Sequence, residues 1–362
     1  MKILFVLDRP NLYGSEQHVL RLMDALNKDD EVSLLGFAEG PMLTKLSARN
    51  IPYTVIPLKW HAISKLGKII RYFKTNNFDI IHAHQPKAIF WSSIAALIAS
   101  IPCVITIHSL PSSNIQTYNS LIKKIVVGLF HYFVKLTSEL AASRTIYLSK
   151  FSYAHAIFKR KSLIIPNWID NVISNDEIKP SFKRPIRFIS IGSVTSNKGM
   201  DRMIEALALI KHEDWTVQIV GDYAKEFKDF LLKSSIDLGI SERLTFLGYR
   251  EDVTQLMLES DGFILLSRGE TFGLVYIEAM NCGLPVITWD IPAVHEILPA
   301  GNIIMSDVND INKVFASFYS SQENYRALSL SNHEFVKSNF SLDRIYIKYK
   351  RLYDQVLSDN RN

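Results

Sequence analysis

The stretch Gly262-Phe263-Ile264-Leu265-Leu266 runs through Ser267-Arg268-Gly269-Glu270-Thr271-Phe272 into Gly273-Leu274-Val275-Tyr276-Ile277-Glu278-Ala279-Met280. Its unbroken apolar start reads as a buried strand, and the segment from Gly273 reads as a helix ending near Asn281-Cys282-Gly283-Leu284-Pro285. A loop at the carboxyl end of a strand therefore opens a helix. The first N–H groups of that helix have no partner within it, and the helix dipole favours an anion there. Gly269 and Gly273 let the backbone approach a ligand closely, so the loop suits a diphosphate. Glu278, more than one helical turn beyond Gly273, can accept from paired hydroxyls such as those of a ribose. Glu270 can accept from a sugar hydroxyl; the plain alternative is that Glu270 caps the helix and Glu278 is a solvated face residue.

The same alternation extends in both directions. Strands are expected at 2–7, 31–37, 53–56, 79–82, 103–107, 145–148 and 163–165, with helical patterns such as Gly14 to Leu26 and Ile63 to Lys74 between them. Residues 171–185 turn polar, with two prolines, and read as a linker. The alternation then restarts with strands at 186–191, 216–220, 244–247, 262–266 and 284–287 and helices at 200–211, 225–235 and 273–281. Strands alternating with helices mean βαβ units and parallel sheets. The expectation is α/β: an N-terminal domain over 1–170 and a second over 186–341, with the closing helix 342–360 packing back on the first. The two Rossmann-like, doubly wound domains would face a central cleft.

Composition limits the alternatives. The chain has 362 residues, enough for two domains of roughly 100–200 residues. With 48% apolar and 21% charged residues it is neither disordered nor a coiled coil. Two cysteines, Cys103 and Cys282, exclude a disulfide framework and suit a reducing cytosol. The longest uncharged stretch, Ala88 to His108, is interrupted by Pro102 and reads as helix then strand, not as a membrane span. The start, Met1 to Leu7, is too short for a signal-peptide core, so a cytoplasmic location is expected. Charge is unevenly spread: residues 1–169 carry 20 Lys and Arg against 9 Asp and Glu, a balance of +11, and residues 170–362 carry 21 against 27, a balance of −6. The first half is thus expected to meet something anionic.

The frame Glu-x-Phe-Gly-Leu, Glu-Ala-Met and Gly-Leu-Pro-Val, with Glu270 and Glu278 separated by seven residues, resembles the retaining nucleotide-sugar glycosyltransferases of family 4, which have the GT-B fold. The resemblance spans nearly the whole chain. It implies that Glu270, Thr271, Phe272, Gly273 and Leu274 bind the donor and that Glu278 holds its ribose. In Gly192-Ser193-Val194-Thr195-Ser196-Asn197-Lys198-Gly199 it implies that Lys198 binds the donor phosphates. Ser193 stands where the family usually has Arg, and Arg268 is a candidate to compensate. A cation opening a helix is itself unfavourable unless an anion is present, which supports the role of Lys198. Gly221 in Val220-Gly221-Asp222 and Tyr249 and Arg250 in Gly248-Tyr249-Arg250 are implied to line the donor site, the last two at the base. Gly14 matches the second glycine of the family's first loop, while Tyr13 replaces the first. His108, after the strand 103–107, is implied to act at the donor sugar. Glu270, His108 and Lys198 form the implied catalytic set. His82 and His84 end the preceding strand; no metal and no cofactor is expected, the nucleotide sugar being a co-substrate. Asn167, Trp168 and Asp170 form an interdomain turn in which Trp168 replaces the usual glycine, at a cost if its φ were positive.

The resemblance implies front-face transfer of a sugar from a nucleoside diphosphate sugar, a UDP-sugar ahead of a GDP-sugar, with retention. Lys123, Lys124 and Lys135 bracket an apolar stretch containing Phe130 and Phe133. That stretch is read either as an anionic-membrane contact with cations at lipid heads or as a core helix with snorkelling lysines. A glycan on a lipid diphosphate fits the charge as acceptor, in polysaccharide or glycolipid synthesis; no nucleic-acid partner is expected. An epimerase of the same fold and a non-catalytic donor-binding subunit are the competing readings.

Overall fold

The computed structural model describes residues 1–60, 63–109, 120–178 and 181–361. The chain divides into two compact units, Met1–Asn167 with Asp343–Asn362, and Trp168–Leu342. Residues 171–178, read from composition as linker, belong to the second unit. There the Asn281 side chain accepts from Ile173 N at 3.2 Å and donates to Asn171 O at 3.0 Å.

The first unit is built on a seven-stranded sheet of β1 (Lys2–Leu7), β2 (Glu31–Gly36), β3 (Tyr53–Val55), β4 (Ile80–His84), β5 (Cys103–Ile107), β6 (Arg144–Tyr147) and β7 (Ser162–Ile164). The order across the sheet is β3-β2-β1-β4-β5-β6-β7 and every pairing is parallel. Ile3 to Leu7 and Ile80 to His84 are buried along their whole length, as strands covered by helices on both faces must be. Leu4, Val6, Ile69, Phe73, Ile81, Trp91 and Ile105 share one core. The C-terminal helix Leu342–Arg361 closes this unit with Ile345, Tyr349, Leu352, Tyr353 and Val356 buried. Tyr353 Oη lies 2.8 Å from His82 Nδ1, and Lys350 pairs with Asp30 at 2.6 Å.

The second unit carries β8 (Ile186–Ile191), β9 (Trp215–Val220), β10 (Leu244–Gly248), β11 (Gly262–Leu265), β12 (Val286–Trp289) and β13 (Ile303–Met305), in the order β10-β9-β8-β11-β12-β13 and again all parallel. β13 and the 19-residue helix Gln322–Phe340 are additions to the sequence expectation. Positive φ among the described non-glycine residues is confined to Asn50, Asn77, Gln85 and Ser100, so Trp168 takes an ordinary backbone and is buried.

In each sheet the strand order reverses at one point: between β1 and β4 in the first and between β8 and β11 in the second. In a doubly wound sheet the connections leave such a pair in opposite directions and open a crevice at the strands' carboxyl ends, where ligands bind. Residues after β1 and β4, and after β8 and β11, therefore define the places to look.

Candidate active site

At the reversal in the second unit, Lys198 follows β8 and Glu270 follows β11. Lys198 Nζ donates to Glu270 Oε1 at 2.6 Å, and Ser267 Oγ donates to the same oxygen at 2.8 Å. The carboxylate is 11% and the lysine side chain 25% exposed, so the pair is sheltered but reachable. The loops around it are tied by their backbones: Gly192 N to Val220 O at 2.9 Å, Gly221 N to Gly248 O at 2.9 Å and Arg268 N to Asn197 O at 2.8 Å. Four successive strand ends thus form one rigid rim carrying Ser193, Gly221, Tyr249 and Glu270.

Glycine does two different jobs on this rim. At Gly199, with φ +67°, a Cβ would fall 1.8 Å from Leu266 O; at Gly273, with φ +89°, it would fall 2.5 Å from the Tyr276 ring. Both are required by the fold itself. Gly273 is thus fixed by packing against Tyr276, whereas a Cβ on Gly269 would meet nothing within 4 Å. Tyr276, buried, donates to Leu265 O at 3.0 Å and accepts from Thr288 Oγ1 at 2.9 Å. Burial, with the Glu270 charge adding to it, pushes its phenol far above the usual range, so it stays a neutral strut under the loop. Thr271, Leu274 and Glu278 are half-buried and Phe272 is buried, its ring 5.7 Å from Phe340.

Arg268, the candidate to compensate for Ser193, is held by Asp201. Its guanidinium makes two bonds to Asp201, at 2.7 and 2.6 Å, and a third to Ser196 O. It braces the loop against the helix Met200–Leu209. Ser193 itself is exposed. Tyr249 is 53% exposed, and Arg250 bonds Asp252 at 2.7 and 2.5 Å.

In the first unit the loop after β1 leads into the helix Gly14–Leu26. A Cβ on Gly14 would meet nothing within 4 Å, and Tyr13 is 61% exposed. Gln85, directly after β4, has φ +68°, a costly conformation for a glutamine. Its side chain repays it locally: Oε1 accepts from Asp8 N at 2.8 Å and Arg9 N at 3.0 Å, and Nε2 donates to Glu16 Oε1 at 2.9 Å. One side chain fixes the backbone after β1 and the orientation of a buried glutamate.

Beneath it lies a buried histidine cluster. His84 Nδ1 is 2.9 Å from His108 Nε2, and His82 Nε2 is 2.8 Å from Thr106 Oγ1. His18 Nδ1 lies 2.7 Å from Asn167 Oδ1, and its Nε2 is 3.1 Å from Tyr349 Oη. Burial, only partly offset by the Asn167 hydrogen bond, holds His18 down at about 4. Burial, reinforced by the neighbouring imidazoles, holds His82, His84 and His108 well below the usual histidine range. The ligating atoms of His18, His84 and His108 all lie within 4.8 Å of one another. Binding a cation there through His18 would cost its hydrogen bond to Asn167 or to Tyr349.

A cavity of about 130 Å³ opens beside His108, lined by Ser15, Gln85, Ile89, Ile107, Val134 and Lys135 among others. One wall is the helix Leu121–Ala141. The rest of that helix is not core: Ile122, Ile125, Val126, Leu129, Phe130 and Phe133 are exposed, and Trp60 packs edge-on to Phe130 at 5.3 Å. Lys123 is exposed and Lys124 half-buried. Lys135 departs from the role of a lipid-facing cation. It is 11% exposed, pairs with the buried Glu139 at 3.2 Å and lies 5.7 Å over the Tyr147 ring. No helix among the described residues is long and apolar enough to cross a membrane.

Glu16, His18 and Gln85 were not singled out by sequence. Their one signal is position: a glutamate and a histidine in the first turns after Gly14, and a glutamine between β4 and Pro86.

Two parallel sheets, each with a polar site at the reversal of its strand order, define the class of GT-B glycosyltransferases. The solved structure of Anabaena HepE in complex with UDP superposes with a TM-score of 0.84 over 98% of this chain and 100% of that one, at 21% identity. The family profile Glycosyl transferases group 1 matches residues 172–332, and Glycosyltransferase Family 4 matches residues 13–171. The chain belongs to the family 4 glycosyltransferases. Among curated relatives, N-acetyl-alpha-D-glucosaminyl L-malate synthase of Bacillus anthracis is 27% identical, with 86% of this chain and 83% of that protein covered. UDP-Gal:alpha-D-GlcNAc-diphosphoundecaprenol alpha-1,3-galactosyltransferase of Escherichia coli is 25% identical, with 80% of each covered.

Proposed function

We propose that this glycosyltransferase moves a hexosyl group, with retention, from a UDP-sugar to a glycan carried on a lipid diphosphate. The observation that carries the reading is the Lys198–Glu270 pair at the reversal between β8 and β11, with Glu278 on the helix that follows. A cation and a carboxylate bonded to each other can be exchanged for a diphosphate and a sugar hydroxyl. Donor entry transfers Lys198 to the diphosphate and leaves Glu270 to accept from the sugar. Glu278 takes the ribose hydroxyls, and Tyr249 stacks on the base. His108 bonds a sugar oxygen near the reacting centre. No side chain needs to form a covalent intermediate, because orientation and charge stabilisation supply the rate. The co-substrate carries its own leaving group, and no metal enters the scheme.

The lipid-linked acceptor rests on the first unit. The exposed apolar face of Leu121–Ala141 with Trp60, beside Lys123 and Lys124, suits the surface of an anionic bilayer. Polysaccharide synthesis at the inner face of a membrane fits both halves of this reading. The test is thermal stabilisation of the purified protein by UDP- and GDP-sugars with and without Mg²⁺. The donor so identified is then offered lipid-linked glycans on liposomes. A metal-independent shift by one UDP-sugar and an α-linked product are expected. Donor binding with no transfer to any acceptor would favour the non-catalytic partner subunit, and an epimerised nucleotide sugar would favour the epimerase.

A further inference from the structure

The histidine cluster holds one fully buried nitrogen that the hydrogen-bond network leaves out. His82 uses both ring nitrogens, on Tyr353 and Thr106. His18 uses both, on Asn167 and Tyr349. His84 is fully buried and uses Nδ1 on His108, while its Nε2 is buried with no hydrogen-bond partner. The rings packed round it are Phe5, His18, His82 and His108, none of which offers a free acceptor to Nε2.

A contact of 2.9 Å between two neutral imidazole nitrogens contains one proton, on one side or the other. If His108 Nε2–H donated, His84 would carry its proton on Nε2, a buried N–H with nothing to donate to. Orphaned buried N–H groups are the rarest kind of unmet polar group. If His84 Nδ1–H donates, the orphan is only a lone pair. The second arrangement is the less costly, and it has a consequence for His108. With Nε2 accepting, its own proton sits on Nδ1, the ring nitrogen not committed to His84. His108 lines the cavity beside Ser15 and Gln85.

We infer that His84 is a positioning residue that fixes the tautomer of His108, so that His108 presents an Nδ1–H donor and not a basic lone pair to a ligand in this unit. β4 and β5 supply the geometry. They are parallel neighbours with His84 opposite Thr106, which places His108 two residues further along on the same face. Burial keeps both rings neutral, so the contact holds a single proton. That the ligand oxygen belongs to a sugar rests on the proposed function; the tautomer does not. For transfer it means that His108 stabilises negative charge on an oxygen and does not take a proton from the acceptor.

The experiment is a long-range ¹H–¹⁵N correlation spectrum of the full-length protein labelled in histidine, with His108 assigned by its loss in His108→Gln. The expected wild-type spectrum shows His108 protonated on Nδ1 with Nε2 bare. His84→Asn keeps an N–H where Nδ1 stood and should preserve that tautomer. His84→Asp offers only an acceptor and should move the proton to Nε2. Transfer should then fall about a hundredfold in His84→Asp, the loss typical of a removed charge-stabilising donor, and much less in His84→Asn. Should His84→Asp not fold, His84→Leu removes the bond, and His108 should then populate both tautomers. A wild-type His108 protonated on Nε2 overturns the inference, as does a tautomer unmoved by His84→Asp or His84→Leu. A tautomer that follows residue 84 in a protein that transfers no sugar would overturn the proposed function and leave the inference standing.

Discussion

At the scale of single residues, the proposed donor site is a set of groups whose partners would change when a ligand arrives. Glu270 already holds Lys198 and Ser267, so its position is preset before any sugar enters. Glu278 lies one helical turn into Leu274–Asn281, half-buried. On the proposed reading, replacing it by alanine removes an acceptor for two ribose hydroxyls, and hydrogen bonds to a charged group contribute about 1.5–3 kcal/mol. Glu278→Ala should weaken donor binding by roughly ten- to a hundredfold at 25 °C in a calorimetric titration. An unchanged affinity would remove Glu278 from the ribose. Gly14 offers a cleaner probe. The space over it is empty of protein, and alanine suits a first helical turn better than glycine. Gly14→Ala should therefore melt no lower than the parent. A loss of donor or acceptor affinity in that variant would report a ligand packed against residue 14, and unchanged affinity for both would take Gly14 out of the site.

At the scale of elements, what the sequence made legible was whatever rests on apolar periodicity. β5 and β8 fall on 103–107 and 186–191 as read, and the helix Gly14–Leu26 has its expected ends. The helix Gln322–Phe340 escaped because its pattern is weak, with Ser329, Asn332 and His333 among its buried residues. Its one strong local sign is Ser321, whose side chain accepts from Asn324 N. β13 is three residues long, too short to announce itself. In the site, Lys198 and Glu270 were each legible from glycine-rich turns, but their bond joins residues 72 apart, and only the pairing of β8 with β11 reveals it. Gln85 was illegible because its role depends on a positive φ that no glutamine advertises. The helix Leu121–Ala141 was ambiguous between core and interface, and the exposure of Phe130 and Phe133, 45% and 53%, decides against core. Phe130→Ser with Phe133→Ser should consequently fold normally and lose most binding to anionic liposomes in a flotation assay. Withdrawing a fully buried ring from an apolar phase costs about 1.5–3 kcal/mol, so a loss of roughly tenfold or more is expected from the pair. Normal flotation of the folded double variant would leave this face without a membrane role.

At the scale of the molecule, the C-terminal helix returns to the first unit and places Tyr349 and Tyr353 on His18 and His82, which ties the last turns of the chain to the histidine cluster. The cluster then makes that unit's stability depend on pH. His18 sits at about 4 and His82, His84 and His108 lie well below 6.5, all because burial disfavours the charged ring. In the unfolded chain each returns to about 6.5. As pH falls below that value the unfolded state binds protons that the folded state refuses, so stability is lost on acidification and rises again with pH. Each imidazole contributes a slope of at most about 1.4 kcal/mol per pH unit between its folded and unfolded values. Four rings held below their ordinary value act in the same direction, so the loss on acidification is cooperative with the unfolding of this unit. The melting of the first unit, followed by hydrogen exchange at β4 and β5, should be nearly flat from pH 8 to 7 and fall steeply from 6.5 to 5. Protection of β4 and β5 that stays level to pH 5 would mean that these rings take up protons in the folded state, and the neutral His84–His108 bond would fall with it.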